Sequence, residues 1–159
     1  MRLYFLRHGI AEDRDRWPGK DFDRPLTAEG KERIALESDT IAGLELHLEV
    51  IVTSPLLRAF QTAEIVARKL KMRGKLVKNE ALGPGFDVSG LAKILDGHPK
   101  AEAIMLVGHE PGFSATIGEL IGGGRVVCKK GSLACVELES KPPLRGELLW
   151  LVQPRMIIR

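Results

Sequence analysis

The sequence predicts an α/β fold built on a largely parallel sheet. Short apolar runs alternate with segments in which apolar residues recur at helical spacing, and this order is typical of strands joined by crossover helices. The clearest apolar runs are residues 3–6, 50–52 and 103–107, and the second of them predicts a strand over residues 49–53. The chain has 159 residues, 44% of them hydrophobic, and its sequence shows no internal repeat and no interdomain linker. We therefore expect one domain over residues 1–159.

The first strand and first helix are separated by a long polar segment. The strand is expected over residues 3–6, and residues 11–25 are expected to form an exposed loop over its end, where ligands bind in such folds. Thr27 has the position of a helix N-cap. The apolar stripe of the helix that follows is Ile34, Ile41 and Leu44.

The second strand is expected to lead directly into the second helix. Ser54 is the predicted N-cap, and Pro55 is the predicted first helical residue. Gly74 is expected to end this helix before a short strand at residues 76–77. The apolar stripe of the helix is Leu56, Phe60, Ala63, Ala67 and Leu70.

The second half of the chain predicts two further helices and an edge hairpin. Residues 80–90 are rich in glycine and proline and are expected to form a loop close to the functional site. One helix is expected over residues 88–95, and another opens at Pro111 and Gly112 and ends at the glycines of residues 122–124. Residues 134–138 and 148–152 are predicted to pair as strands at the edge of the sheet.

Composition excludes several classes of function. The net charge is only +3, which is weaker than a nucleic-acid-binding surface requires, and aromatic residues (5%) are too few for a stacking platform. No apolar stretch is long enough to cross a bilayer, and Arg7 and His8 interrupt the early apolar run, so we expect a cytoplasmic protein. Cys128 and Cys135 are expected to be reduced, half-buried thiols; the alternative is that they face each other across a hairpin.

Four charged or titratable residues follow three predicted strands. Arg7 and His8 follow the first strand, Arg58 comes soon after the second, and His109 follows the strand at residues 103–107. If these strand ends converge, two guanidinium groups and two imidazoles surround one small anion. Taken singly, Arg58 could be a surface helix residue and His109 a histidine bonded to the backbone. His47 and His98 lack this setting and are expected in a loop and a turn.

These side chains suit phosphoryl transfer. A neutral imidazole is a nucleophile, and flanking arginines both bind phosphate oxygens and disfavour the charged form of His8. The second ring nitrogen of His8 should donate to a backbone carbonyl, while His109 should donate to the phosphate, as a neutral ring or as a cation. Gly9 lacks a Cβ, so the backbone there can turn unusually and approach the anion. Neither clustered carboxylates nor a Cys/His metal spacing occurs, so we expect neither a metal nor another cofactor.

Four blocks occur in order along the chain: residues 7–9 (RHG), residues 24–30 (RPLTAEG), residues 53–59 with 61–63 (TSPLLRA and QTA), and residues 107–109 (VGH). These blocks resemble the signatures of the histidine phosphatase superfamily, the phosphoglycerate-mutase-like family. The short chain and the continuation at residues 9–12 (GIAE) look most like its SixA group of phosphohistidine phosphatases. The resemblance implies a three-layer sandwich with a central, mostly parallel sheet.

The resemblance also implies roles for single residues. His8 would be the nucleophile that is transiently phosphorylated, and Arg7, Arg58 and His109 would complete the phosphate pocket. Gly9 and Ser54, which lie in two of the blocks, are expected to support that pocket. SixA-type members remove phosphate from phosphohistidine, so the implied partner is a histidine-phosphotransfer domain or a phosphocarrier protein.

The chain departs from larger superfamily members in its general acid. Those members carry an acid, usually a glutamate, before the third block; here Glu80 has a plausible place, with Asp13 and Asp87 as alternatives. A weak acid is tolerable when the leaving group is an imidazole and much less so for sugar phosphates. The alternatives are a small-molecule phosphomonoesterase on the same scaffold, a phosphoglycerate mutase, and a non-catalytic phosphoprotein-binding module.

Overall fold

The computed structural model describes residues 1–140 and 142–157. The strands are β1 (Arg2–Arg7), β2 (Val50–Thr53), β3 (Leu76–Lys78), β4 (Ala103–Gly108), β5 (Leu133–Ser140) and β6 (Arg145–Val152). The helices are α1 (Ala28–Gly43), α2 (Leu57–Lys69), α3 (Val88–Asp96), α4 (Gly112–Leu120) and α5 (Pro154–Ile157). Short 3₁₀ turns lie at Asp21–Asp23, Arg73–Lys75 and Glu80–Leu82.

The strands form one six-stranded mixed sheet in the order β3-β2-β4-β1-β5-β6. Strands β1 to β4 are parallel to one another, with Phe5 of β1 opposite Leu106 of β4. Strand β5 runs antiparallel to β1, and β6 pairs with β5 at the edge. The predicted fold class and the edge hairpin are therefore confirmed.

Helices cover both faces of the sheet because neighbouring residues of a strand point in opposite directions. Phe5 and Leu106 pack on one face, where α3 and α4 contribute residues such as Phe113. Leu6 and Val107 pack on the other face against side chains of α1 and α2. Both faces of β1, β2 and β4 are buried, as expected of parallel strands between helical layers.

The beginning of α1 agrees with the prediction, whereas the beginning of α2 does not. Thr27 is the N-cap of α1, and its Oγ1 accepts a hydrogen bond from the Gly30 N–H at 2.9 Å. The prediction that Ser54 caps α2 was wrong, because this helix begins at Leu57. The Ser54 N–H donates to the Val107 oxygen at 2.9 Å, which extends the pairing of β2 with β4 and keeps Ser54 extended.

The end of α2 and the burial of the cysteines differ from expectation, whereas the end of α4 agrees with it. Helix α2 ends at Lys69, where Lys71 adopts a left-handed backbone (φ 58°), so Gly74 lies in the next 3₁₀ turn. Helix α4 ends at Leu120 with Ile121 as its C-cap, and the glycine triplet terminates it as predicted. Gly122 is left-handed (φ 83°), and the Gly123 N–H donates to the Gly118 carbonyl oxygen at 2.8 Å. Both cysteines are free as expected, but they are fully buried, and Cys135 lies opposite Trp150 rather than Cys128. Among the described helices, none combines the length and apolar character needed to cross a membrane.

Candidate active site

His8 lies immediately after β1, at the carboxyl edge of the sheet. Its backbone N–H donates to the Gly108 oxygen at 3.1 Å, which continues the pairing of β1 with β4. The ring is buried, with 6% of the residue exposed. Nδ1 lies 2.7 Å from the Gly9 carbonyl oxygen and must donate to it, as the sequence predicts. Nε2 of a neutral ring therefore keeps its lone pair.

His109 follows β4 and lies beside His8, with the two ring centroids 5.1 Å apart. Its Nε2 is 2.8 Å from the Ser54 hydroxyl oxygen, so the serine orients this ring instead of capping α2. The His109 Nδ1 atom is buried and has no hydrogen-bond partner within the described residues. His109 is thus held by a side chain, not by the backbone contact that was the alternative.

Arg58 is the second residue of α2 and is buried, which excludes a surface role. Its Nη1 donates to the Asp21 carbonyl oxygen at 2.9 Å, and its Nη2 lies 3.2 Å from the Asp21 Oδ2 atom. Arg24 donates to the other carboxylate oxygen of Asp21 at 2.9 Å. The polar segment before α1 therefore reaches the site through Asp21, which fixes the direction of the Arg58 guanidinium group.

Arg7 ends β1 and faces the segment that precedes β5. Its Nη1 donates to the Cys128 carbonyl oxygen at 2.8 Å. Its Nε is buried without a partner among the residues that the structure describes. The guanidinium group is near enough to both histidines to contribute to lowering their pKa values.

Gly9 supports the site in a different way from the one expected. Its N–H donates to the Thr62 hydroxyl oxygen at 3.1 Å, so this N–H is not available to an anion. Its backbone lies outside the left-handed region, and an added Cβ would come within 2.6 Å of the Ile34 Cγ1 atom. Gly9 is therefore needed because α1 packs closely against it, and the expectation of an unusual turn was wrong.

Thr62 joins the two halves of the site. Its hydroxyl group donates to the Arg58 carbonyl oxygen at 2.8 Å while accepting from the Gly9 N–H. The sequence reasoning missed this role, although the four-residue spacing from Arg58 places both on one face of α2. It also missed Asp21, for which the many charges of residues 11–25 gave no distinguishing signal.

Burial keeps both histidines neutral. The pKa of His8 is well below its ordinary value, first because of burial and then because of His109, Arg58 and Arg7. The sequence attributed this to the arginines, but burial is the larger cause. The pKa of His109 is lowered to about 4, again mainly by burial and then by Arg58. Without a bound anion, His109 is therefore neutral near pH 7. Whether it donates to a phosphate as a neutral ring or as a cation stays a prediction.

The three carboxylic acids considered as proton donors lie in different settings. Glu80 is exposed and opens the 3₁₀ turn after Asn79, whose N–H donates to the oxygen of Thr53 at the end of β2. The Oδ1 atom of Asp87 caps α3 by accepting from the Gly90 N–H at 2.8 Å. Asp13 is exposed and accepts from the Asp15 N–H at 2.9 Å.

Two further histidines and the cavity at the other end of the strands lie away from His8, Arg58 and His109. His47 is exposed in the loop before β2, and His98 lies in the turn after α3. A cavity of about 940 Å³ lies at the opposite edge of the sheet, near Arg2, Glu49 and Lys100. Within residues 1–140 and 142–157, no three His, Cys, Asp or Glu side chains form a group that could hold a metal ion.

Comparisons with known proteins identify the family. The model of the histidine phosphatase superfamily (branch 1) matches residues 3–82. An uncharacterised protein of Picosynechococcus sp. (strain ATCC 27264 / PCC 7002 / PR-6) is 43% identical over 115 residues, which cover 70% of this chain and 67% of that protein. Phosphohistidine phosphatase SixA of Escherichia coli (strain K12) is 27% identical over 125 residues, covering 77% of this chain and 76% of its own.

Solved structures agree in fold. The protein histidine phosphatase SixA complexed with tungstate superposes with a TM-score of 0.86 at 25% identity and covers 98% of both chains. A mycobacterial glucosyl-3-phosphoglycerate phosphatase complexed with VO₃ superposes with a TM-score of 0.74 at 15% identity, covering 94% of this chain and 97% of its own. The matched sequence blocks, the sheet order and these likenesses agree: the chain belongs to the histidine phosphatase superfamily, branch 1.

Proposed function

We propose that the protein is a phosphohistidine phosphatase that hydrolyses the N–P bond of a phosphorylated protein through a phospho-His8 intermediate. The observation that carries this proposal is the state of His8. Its ring is buried and neutral, Nδ1 donates to Gly9, and Nε2 is left as a nucleophile beside His109 and two arginines. This is the arrangement that in-line attack on phosphorus requires.

In the first step, the His8 Nε2 lone pair attacks phosphorus and forms a new N–P bond. The N–P bond of the substrate breaks, and its electron pair stays on the departing imidazole nitrogen, which takes up a proton. In the second step, water attacks the phosphorus of phospho-His8, the bond to Nε2 breaks, and inorganic phosphate leaves. His8 is regenerated as a neutral ring, so the cycle closes.

The positive groups act on the phosphoryl oxygens. Arg58 offers a planar guanidinium group that Asp21 already orients, and Arg7 supplies a second one. Such groups stabilise charge that spreads over the equatorial oxygens in the transition state. His109, oriented by Ser54, offers a further ring N–H. A bound phosphate dianion raises the pKa of His109 above its value of about 4 in the free site. With this much charge supplied by side chains, the reaction needs no metal.

The settings of the three candidate proton donors favour an imidazole leaving group, because Asp13, Glu80 and Asp87 are all exposed. Glu80 is exposed, and Asp87 is occupied as a helix cap. Imidazole departs more readily than an alkoxide, so the reaction depends little on a strong proton donor. Glu80 stays the first choice for that donor. The partner class is a histidine-phosphotransfer domain or phosphocarrier protein, which places the enzyme in the cytoplasm and in signal transduction.

A small-molecule phosphomonoesterase is the second candidate. The fold is shared with a phosphatase of glucosyl-3-phosphoglycerate. Glu80 also follows the end of β3 at the carboxyl edge of the sheet, from which a proton could reach an alkoxide. A non-catalytic binding module is disfavoured, because binding alone gives no reason to keep His8 neutral with a free Nε2.

The decisive experiment compares substrates and traps the intermediate. Purified protein is given a phosphohistidine protein, p-nitrophenyl phosphate and a panel of sugar phosphates, and acid-labile phosphate on the enzyme is measured after rapid quenching. His8→Ala should abolish turnover and labelling without changing the fold, whereas His98→Ala, which alters a histidine in a distant turn, should change neither. Turnover retained by His8→Ala would exclude the covalent route. Preference for a sugar phosphate would favour the phosphomonoesterase.

A further inference from the structure

A second positively charged feature adjoins the candidate active site. A groove of about 300 Å³ lies beside Arg7, with Ile10 and Pro154 among its lining residues. Five cationic side chains line it, and we call this feature the basic groove: Arg7, Arg33, Lys129, Lys130 and Arg155. It lies between α1, the segment before β5, and α5. Arg7 belongs both to the groove and to the proposed phosphate pocket, so the two are continuous.

The charge of the groove is unusual for this chain. Five cations line it although the net charge of the whole protein is only +3. None of its lining residues is an aspartate or a glutamate. Arg33 also contacts Glu29 on the exposed face of α1 at 2.7 Å, which weakens its contribution. Within the described part of the chain, Lys129 and Lys130 form no ion pair.

Hydrogen bonds fix the backbone that carries Lys129 and Lys130 relative to the backbone of His8. The Gln153 side chain donates to the Val127 carbonyl oxygen at 2.7 Å and accepts from the Lys129 N–H at 3.3 Å. The Gly131 N–H is shared between the carbonyl oxygens of Arg7 and His8, at 3.1 and 3.2 Å. The backbone beneath the two lysines is therefore tied directly to the backbone of His8.

We propose that the basic groove binds an acidic segment of the phosphorylated protein substrate, with aspartate or glutamate side chains next to the phosphohistidine. This inference rests on the proposed function and names a feature that the substrate must carry. Carboxylates on the substrate pair with Lys129, Lys130 and Arg155 while the phosphoryl group enters the pocket at Arg7. A nucleic acid is the less suitable occupant, since no aromatic side chain lines the groove on which a base could stack.

The groove should act mainly on encounter and orientation. Charges at the rim of an interface raise the association rate and make it sensitive to salt, while adding less to the affinity. The screening length is about 8 Å at physiological ionic strength, so a groove adjoining the pocket steers a substrate effectively. We therefore expect the groove to change the KM for a protein substrate and to leave the chemistry on a small substrate alone.

The test is a charge reversal with a matched control. Lys129→Glu/Lys130→Glu changes two exposed side chains outside the proposed catalytic machinery. Lys75→Glu/Lys100→Glu makes the same change in charge at two exposed sites, one before the edge strand β3 and one at the opposite end of β4. Each protein is assayed with a phosphorylated histidine-phosphotransfer domain and with p-nitrophenyl phosphate, at low and high salt.

We expect the groove variant to lose about ten-fold in kcat/KM for the protein substrate, through KM, and to lose most of its salt dependence. Its kcat for p-nitrophenyl phosphate should stay within about two-fold of the wild type, because the pocket is unchanged. An equal loss in the control variant, an equal loss on both substrates, or no loss on the protein substrate would each overturn the proposal.

A separate binding measurement distinguishes this proposal from the proposed function. Fluorescent glutamate-rich peptide and a single-stranded oligonucleotide of equal charge are titrated into wild type, groove variant and control. If the peptide binds wild type and control but not the groove variant, the groove binds acidic segments. This result would support the proposal even if no phosphohistidine protein is hydrolysed. If the oligonucleotide binds more tightly than the peptide, and the groove variant loses that binding too, the groove is a nucleic-acid site. If neither probe binds the wild type, the proposal is overturned.

Discussion

The buried carboxyl group of Glu37 predicts how the stability of the fold depends on pH. Glu37 belongs to α1, is 2% exposed, and has a carboxylate oxygen without a hydrogen-bond partner among the described residues. Its carboxyl group lies so close to Gly131 that a Cβ there would be 2.6 Å from Oε2. Burial raises the pKa from 4.5 to about 8, against an opposing effect of Arg33.

The sign and size of the effect follow from linkage between protonation and folding. Below pH 4.5 the carboxyl group is protonated in both states and costs nothing. As the pH rises towards about 8, the unfolded chain ionises first, so stability is lost through that range and levels off above it. At about 1.4 kcal/mol per pKa unit, the cost is about 3.4 kcal/mol at pH 7 and about 0.8 kcal/mol at pH 5. These values are upper limits.

The prediction is tested with Glu37→Gln, which keeps the shape and removes the titration. Urea unfolding at pH 5 and pH 7 should show that the variant gains up to about 2.5 kcal/mol over the wild type between these values. Glu32→Gln, an exposed change on the same helix, is the control and should gain almost nothing. If the advantage of Glu37→Gln is independent of pH, or no larger than that of the control, the carboxyl group is not held neutral by burial.

Three further predictions concern the anion site, the packing of α1 and metals. Arg58→Ala should lower kcat/KM for p-nitrophenyl phosphate about 10²–10³-fold, and an unchanged rate would remove Arg58 from the site. Gly30→Ala should cost at least about 2 kcal/mol in urea unfolding, because its Cβ would overlap the Ile10 carbonyl oxygen, whereas Gly43→Ala, which meets open space, should cost nothing. Activity should persist in excess EDTA, since guanidinium groups supply the charge; loss restored by a divalent ion would contradict this.

The sequence predicted the strands that carry the site because burial on both faces leaves a plain signal. Runs such as residues 103–107 are apolar throughout, and the residue that follows a parallel strand necessarily lies at the carboxyl edge of the sheet. The sequence alone therefore places His8 and His109 near each other. The role of Thr27 could also be predicted from the sequence, since an N-cap is defined by residues within one helical turn.

Features that depend on partners distant in sequence could not be predicted from the sequence. Ser54 looks like a cap in its local sequence, but its N–H is taken by Val107 and its hydroxyl by His109. Asp21 becomes a site residue only because the loop folds back onto Arg58, 37 positions away. The cause of the His8 pKa shift was misjudged for the same reason, as burial is a property of the whole packed structure.

The hydroxyl group of Thr62 has a consequence for how the two sides of the candidate active site keep their relative position. This one group joins the backbone of Gly9, next to the proposed nucleophile His8, to the backbone of Arg58 in the first turn of α2. The position of the Arg58 backbone relative to Gly9 therefore depends on this pair of hydrogen bonds as well as on the packing of β1 against α2. Exchange of the hydroxyl for a methyl group, as in Thr62→Val, would leave the buried Gly9 N–H without its partner and remove this link between the two elements.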